Sequence, residues 1–308
     1  MIDILMAVCN GEKFIKEQID SIINQSYTDW KLIIHDDGST DKTIKIIKMY
    51  IKKCPEKIFL VEDDIKTGGA KNNFYHLMKL SSADYIMFAD QDDIWEEDKV
   101  ELAYEEICKR ENKFGKNTPI LCHSDLIVVD SVLNVINDSF FDMQKLEGCK
   151  NSFSDLLIQN NITGCTMIIN RSLLNKCKCM PEEAIMHDWW LGLIAAAFGK
   201  IGLISYKKIK YRQHGNNTEG AKNLKNPLYC LKKMFDKKGI IESLNIAYSQ
   251  ADAFYREYMD ELSEQNADII RAYLSMKNSK KIDKLRIIKK YRFMKSGFVR
   301  KISYLFFV

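Results

Sequence analysis

Residues 85–95, YIMFADQDDIW, run from a stretch apolar enough to be buried straight into three carboxylates, Asp90, Asp92 and Asp93, within four positions. The apolar run reads as a strand whose polar end gathers negative charge at one point. Upstream, strand and helix signals alternate. Residues 2–8 read as a strand, 12–24 as a helix with Phe14, Ile15, Ile19, Ile22 and Ile23 on one face, and 31–35 as the next strand. Ser39, Thr40 and Asp41 supply N-cap chemistry for a helix carrying Ile44, Ile46, Ile47 and Ile51. After Pro55 come the strand KIFLVE, a break at Gly68 and Gly69, and a helix over 72–80 that leads back to the strand ending at Ala89. This order predicts an α/β fold with a mostly parallel sheet flanked on both faces by helices. Such sheets hold ligands beyond the carboxyl ends of their strands, which here are Cys9-Asn10-Gly11, Asp36-Asp37-Gly38-Ser39 and Asp90-Gln91-Asp92-Asp93.

Downstream of Pro119 the pattern shifts to longer strand-like runs: ILCHSDLIVVD, LNVIND and, after NNITG, TMIIN. HDWWLGLIAAAF from His187 has a helical look, and IGLISYKKIKYRQH reads as two strand segments. Gly and Asn cluster at 215–220, and beyond them only helices are expected, at about 226–236, 240–276 and 282–296. A boundary near 220 would separate an α/β domain, 1–220, from a helical region, 221–308.

The chain has 308 residues, 46% of them hydrophobic, enough to fill a sizeable core. Its formal net charge of +4 hides an asymmetry: residues 277–308 hold eleven Lys or Arg against one acid, Asp283. Nine cysteines without a repeating spacing, and no signal-peptide pattern at the N-terminus, predict reduced thiols in the cytoplasm. Cys177 and Cys179 lack the two further ligands that a zinc site needs. No run reaches the ~20 apolar residues of a spanning helix; the nearest, residues 191–204, is broken by Lys200.

Two carboxylates flanking one residue at the mouth of a sheet suit a divalent cation held against a diphosphate. Mg²⁺ or Mn²⁺ takes hard oxygen ligands and keeps positions open for phosphate oxygens. Acids after a strand can also simply cap a helix, and DDGS can be an Asp-Gly turn with Ser39 as cap. Asp36 and Asp37 end another strand of the same sheet, so both acidic pairs should face a common cleft. Like charges gathered there need a cation or hydrogen-bond donors.

In their order and spacing, AVCNGEKFIKEQIDSI, DDGSTDKT, DQDDIW, NITGC, HDWW and YRQHGNN resemble family 2 nucleotide-sugar glycosyltransferases of the GT-A fold, especially the bacterial rhamnosyltransferase-like group. The likeness spans residues 2–220 and implies a Rossmann-like mixed sheet with a helical C-terminal extension. It also implies roles. Asp37, with Asp36 beside it, would accept the N3 proton of a uracil or thymine. Ala7 and Asn10 would line the nucleotide loop, and Lys71 would approach the base or phosphates. Asp90 would bond the ribose, with Gln91 as spacer, while Asp92 and His214 would hold Mg²⁺ or Mn²⁺ on the diphosphate of a UDP- or dTDP-sugar. Asp188 would be the general base. Cys9 departs from the pattern, standing where many relatives carry an aromatic residue.

The chemistry fits those assignments. An acceptor hydroxyl attacks the anomeric carbon while a nucleoside diphosphate leaves; a cation neutralises the growing charge and one carboxylate takes the hydroxyl proton. Direct displacement with one base inverts the anomeric centre. Trp189 and Trp190 beside Asp188 would lower local polarity and offer a face to an acceptor sugar, or else HDWW opens a buried helix with Asp188 as its cap and the tryptophans as core. His35, His76, His123 and His187 read as structural. An inactive sugar-binding or scaffold protein on the same fold is the alternative, against which Asp37, Asp90, Asp92 and Asp188 stand. A phosphoryl-accepting receiver domain would leave HDWW and RQHGNN without purpose.

The basic segment from Lys281 ends in ISYLFFV, with Ile282, Leu285, Ile287, Ile288, Tyr291 and Phe293 among its cations. A basic amphipathic helix with an apolar end predicts contact with an anionic membrane, near a lipid-linked saccharide acceptor, the alternative being a helix packed on the domain with its lysines in water. No nucleic-acid module accompanies the charge, so nucleic acid is not an expected partner. The expected place of work is cytoplasmic, peripheral on the inner face of the membrane.

Overall fold

A computed structural model describes residues 1–214 and 236–308. The boundary expected near 220, and the helix expected at 226–236 apart from its last residue, lie outside the described residues. From the N-terminus the elements are β1 (Ile2–Val8), α1 (Ile15–Ile23), β2 (Trp30–Asp36), α2 (Thr43–Lys53), β3 (Ile58–Leu60), α3 (Ala70–Leu80), β4 (Tyr85–Ala89), β5 (Ile94–Trp95) and α4 (Lys99–Phe114). Then follow β6 (Ile120–Ser124), β7 (Ile127–Val129), β8 (Val135–Asn137), α5 (Phe140–Gln144), α6 (Phe153–Ile158), β9 (Ile168–Asn170), α7 (Arg171–Lys176), α8 (His187–Phe198), β10 (Lys200–Ile204) and β11 (Ile209–Arg212). The chain ends with α9 (Lys237–Tyr258), α10 (Glu264–Ser275), α11 (Lys281–Tyr291) and α12 (Phe298–Phe307).

Among the described residues the main sheet runs β10-β6-β9-β4-β1-β2-β3, and a smaller one β5-β11-β7-β8. In the main sheet β1 pairs in parallel with β2 and β4, while β9 is inserted antiparallel between β4 and β6. The sheet is therefore mixed, as expected. β1 and β4 are buried on both faces: Ile4, Met6, Met87 and Ala89 pack into one apolar cluster, and Leu5, Ile86 and Phe88 into the other. Continuous apolar runs such as YIMFA are what a strand covered on both sides requires.

The C-terminal helices share the second of these cores. Tyr248, Phe254, Tyr258, Ile270, Tyr273, Phe293 and Tyr304 pack in one cluster with Leu5, Phe74 and Phe88. The helix expected over 240–276 is two: α9 ends near Tyr258, and Ser263 caps α10 by accepting the Asn266 N–H. The segment expected over 282–296 stops earlier, where Arg292 turns left-handed at φ 58°, and Gly297 at φ 79° opens α12. Upstream, α2 starts without a side chain from its N-cap, Lys42; Asp41 Oδ1 accepts the Thr43 N–H instead.

Candidate active site

The DxD turn follows β4 and is braced from β11. The buried Arg212 donates through Nε to the Asp92 carbonyl at 2.9 Å and through Nη1 to the Ser131 carbonyl at 2.8 Å. It pairs with Glu17 and lies 4.5 Å over the Phe14 ring. Phe14 in turn stacks on His214, whose Nε2 is 2.7 Å from Asp92 Oδ2. Asp90 faces the same space, and its carboxyl is pushed up to about 7 by burial and by the charges of Asp92 and Asp188. Asp93 is fully buried, accepts the Arg212 N–H at 3.2 Å, and is shifted well upward by burial, Asp90 and Asp92. Trp95 is core, with the Lys99 ammonium 3.4 Å from its ring centroid.

Gln91 does more than space two acids. Its amide accepts the Cys9 N–H at 2.9 Å and donates to the Cys9 carbonyl at 3.0 Å, clamping the end of β1 to the end of β4. A Cβ on Gly11 would come within 2.5 Å of Gln91 Oε1, so only glycine leaves room for the clamp. Ala7 lines the cleft beside it. Asn10 turns left-handed at φ 50°, and its Oδ1 accepts the Thr40 N–H at 2.8 Å. Asp36 likewise folds its own turn, accepting the Gly38 and Ser39 amides. Asn10 and Asp36 thus brace the turns that follow β1 and β2.

Asp37 lies on the cleft wall, where its carboxylate gathers the amides of Thr67, Gly68 and Gly69. Burial opposes ionisation, yet these amides hold its pKa below the usual carboxylate range. Behind this turn, His35 Nδ1 meets Asn73 Oδ1 at 2.8 Å, and His35 and His76 both reach Asp63. Lys71 departs from its expected place: its ammonium donates to the carbonyls of Pro181, Glu182 and Ala184, at 3.4, 2.8 and 2.9 Å. It fastens the loop before α8.

Asp188 sits in the first turn of α8, with its carboxylate held at both oxygens. Oδ1 accepts from Asn160 Nδ2 and Oδ2 from the Gly164 N–H, each at 3.0 Å. Gly164 is required, since a Cβ there would lie 2.8 Å from His187 Nε2. His187 is buried between Phe74 and Phe88, neither ring nitrogen is hydrogen-bonded, and burial holds its pKa down to about 3. Trp189 lines the cleft and donates its indole N–H to the Leu156 carbonyl. Trp190 is fully buried and donates to the Cys179 carbonyl, so it presents no face to an acceptor.

These groups surround one cleft of about 980 Å³, whose walls include Ala7, Asp37, Asp90, Gln91, Asp92, Asp188 and Trp189. The sequence reading gave no site role to Asn160 and Gly164, to Phe14 and Arg212 behind the DxD turn, or to two cations at the far end of the cleft, Lys295 and Arg300. The donor set fits a divalent cation: Asp92 and His214 converge, and the Asp90 carboxyl faces the same cleft, offering the hard oxygen and imidazole donors that Mg²⁺ or Mn²⁺ accepts.

The Glycosyl transferase family 2 profile matches residues 3–175. The chain belongs to this family. It is 32% identical over 230 residues, 70% of this chain and 74% of the relative, to the dTDP-rhamnosyl transferase RfbG of Shigella flexneri. It is 28% identical over 179 residues, 57% of this chain and 62% of the relative, to an Escherichia coli UDP-Glc:alpha-D-GlcNAc-diphosphoundecaprenol beta-1,3-glucosyltransferase, WfgD. Among solved structures, S. aureus TarS 1–349 in complex with UDP-GlcNAc superposes with a TM-score of 0.59 at 15% identity, covering 94% of this chain and 80% of that one. The fold is GT-A.

Proposed function

We propose that the protein is an inverting, metal-dependent glycosyltransferase that moves a sugar from a UDP or dTDP donor to a saccharide carried on a lipid diphosphate. The observation that carries this reading is the placement of Asp188, its carboxylate fixed by Asn160 and Gly164, in one cleft with Asp37, Asp90 and Asp92. Asp188 takes the proton of the acceptor hydroxyl as that oxygen attacks the anomeric carbon. Asp37 and its glycine turn seat the base, and Asp90 bonds the ribose. Asp92 and His214 would hold Mg²⁺ or Mn²⁺, whose chemistry is to neutralise charge on the departing diphosphate. Attack with a single base inverts the anomeric centre. The likeness to RfbG makes dTDP-rhamnose the first donor to try, and the likeness to WfgD favours a lipid diphosphate acceptor.

The outer surface of the last two helices supports work at an anionic membrane. Phe298 and Phe306 on α12 are 77% and 72% exposed, one face apart by two turns, with Ile302 between them. Lys289 and Lys290 are exposed on α11. Exposed aromatic side chains and exposed cations on the same pair of helices are suited to the headgroup region of an anionic leaflet. The cytoplasmic face is the proposed place. No helix of the described residues is long and apolar enough to cross a membrane.

A panel of nucleotide sugars, each with Mg²⁺ or Mn²⁺, tests the reading by thermal unfolding and then by transfer to acceptor. A UDP- or dTDP-sugar should raise the melting temperature more with metal than with EDTA. No shift with any nucleotide sugar would overturn the reading in favour of a scaffold.

A further inference from the structure

Behind the turn that holds Asp37, three segments of the chain bring two imidazoles and a carboxylate together. His35 comes from β2, Asp63 from the loop after β3, and His76 from α3. His35 Nε2 lies 3.1 Å from Asp63 Oδ1 and His76 Nε2 lies 2.7 Å from Oδ2, while Oδ1 also accepts the Ile65 N–H at 3.2 Å. The two rings meet edge-on, with centroids 4.7 Å apart. His35 is fully buried, whereas His76 and Asp63 are 14% and 29% exposed and open the cluster to solvent.

Asn73 fixes which nitrogen of His35 carries the hydrogen. The His35 carbonyl can only accept, and it accepts from Asn73 Nδ2 at 3.2 Å. That turns Asn73 Oδ1, an acceptor, to His35 Nδ1 at 2.8 Å, so Nδ1 is the donor. In the neutral ring, Nε2 then presents a lone pair to a carboxylate oxygen. Two acceptors facing one another in a buried setting cost free energy unless something positive lies between them. Among the described residues no lysine or arginine pairs with Asp63. A second ring proton would answer for His35 alone. A metal ion answers for all three groups, because both imidazoles turn Nε2 to the same carboxylate and Asn73 holds the far nitrogen of the inner ring, as the outer partner of a metal-bound imidazole does.

We infer that His35, His76 and Asp63 form a second cation site, apart from Asp92 and His214, that takes Zn²⁺ or a similar borderline transition ion. The ligand atoms all lie within 4.8 Å of one another. Around a tetrahedral zinc ion, with bonds of about 2.0–2.1 Å, ligand atoms stand about 3.4 Å apart. A small outward shift of the half-buried His76 and Asp63 opens that space, and their exposed side gives the ion its entry and a water its fourth position. Two imidazole nitrogens and one carboxylate suit zinc better than Mg²⁺, which takes oxygen ligands. The ion would tie β2 and α3 to the loop that runs from Asp63 to Thr67, Gly68 and Gly69, whose amides hold Asp37. The site does not depend on the proposed glycosyl transfer.

The test uses the full chain carrying Asp92→Asn and His214→Ala, so that the cleft contributes no metal ligand pair. Zn²⁺ is added, and bound metal is counted after dialysis against a weak chelator. One Zn²⁺ per chain should remain, and the melting temperature should rise with zinc. In the same host His76→Gln and Asp63→Asn should each weaken zinc binding by at least about ten-fold. Co²⁺ is the second probe, read on the intact triad so that no change to its ligands has to fold. It should give the visible bands of a tetrahedral nitrogen and oxygen set without the sulfur-to-metal band that cysteine ligands produce. No retained zinc, equal affinity in the host and its His76→Gln variant, or a cobalt spectrum with sulfur ligation would each overturn the site; the first result would leave a proton on His35 as the bridge to Asp63.

Discussion

The Asp92 carboxylate and the His214 imidazole meet at 2.7 Å although 122 residues separate them. The contact joins the end of β4 to the end of β11, and Phe14 stacks behind it. Asp92→Asn keeps the shape and removes a carboxylate charge from the proposed metal site. Transfer should fall about 10²-fold, with the metal concentration for half-maximal rate rising by about ten-fold or more. A metal titration at saturating donor checks this; an unchanged curve would remove Asp92 from the metal site.

Asp188→Asn should abolish transfer, by about 10² to 10⁴ in rate, while nucleotide-sugar binding by thermal shift stays within two-fold or so of the parent. Asn160→Ala releases one oxygen of that carboxylate and should cost about ten-fold in kcat with little change in donor KM. Turnover retained in Asp188→Asn would exclude it as the base.

Gly164→Ala forces a methyl group to within 2.8 Å of His187 Nε2 and takes the backbone that holds Asp188 with it. Both kcat and melting temperature should drop, since overpacking a close contact costs about 1–3 kcal/mol. Coupling the change to His187→Ala should recover part of the stability.

The pH dependence of stability carries the mark of His187. Its folded pKa, about 3, lies below the ordinary value of 6.5, so between those limits the unfolded chain binds the extra proton. Its neutral ring favours the fold fully above pH 6.5, and that contribution is lost as pH falls towards 3. His187→Phe should flatten the acid side of the stability curve by about one proton, ~1.4 kcal/mol per pH unit. Urea melts at pH 4.5, 5.5 and 6.5 measure the slope, and parallel curves for parent and variant would refute the assignment.

Phe298→Ser with Phe306→Ser should cut partitioning onto anionic vesicles by about ten-fold or more, as two exposed aromatic side chains lose their apolar transfer energy. Equal partitioning of parent and variant would defeat the membrane reading, and an unchanged melting temperature is expected because both side chains are exposed.

Much of the fold was readable because YIMFA and IDILMAV are continuous apolar runs that end in polar turns, and turns at strand ends cluster by topology. The Asp92–His214 pair was readable only through the resemblance, since nothing local links β4 to β11. HDWW shows a limit that helix geometry explains. Two residues apart on a helix is about 200° around the axis, so Asp188 in the cleft sends Trp190 into the core. Lys71 shows another: its long side chain met carbonyls 110 to 113 residues away, in a loop whose course no periodicity encodes. Asn10 and Asp36 carry side chains short enough to bond the backbone of their own loops, which is where they went. In the tail, apolar and basic residues were visible, but Arg292 ended the expected helix early and Gly297 opened a further one beyond it, with Lys295 and Arg300 on the wall of the cleft.

Tyr304 and Val308 tie α12 to the core that holds β4, while Phe298 and Phe306 on the same ten residues stand in solvent. Cutting the tail away would therefore damage the fold and any surface attachment together, and the two losses would look alike. Change confined to the outer side chains is different: it can move the protein between surroundings while the cleft stays as built. The two faces of this helix are thus free to diverge at separate rates, one answerable to packing and the other to wherever the protein is used.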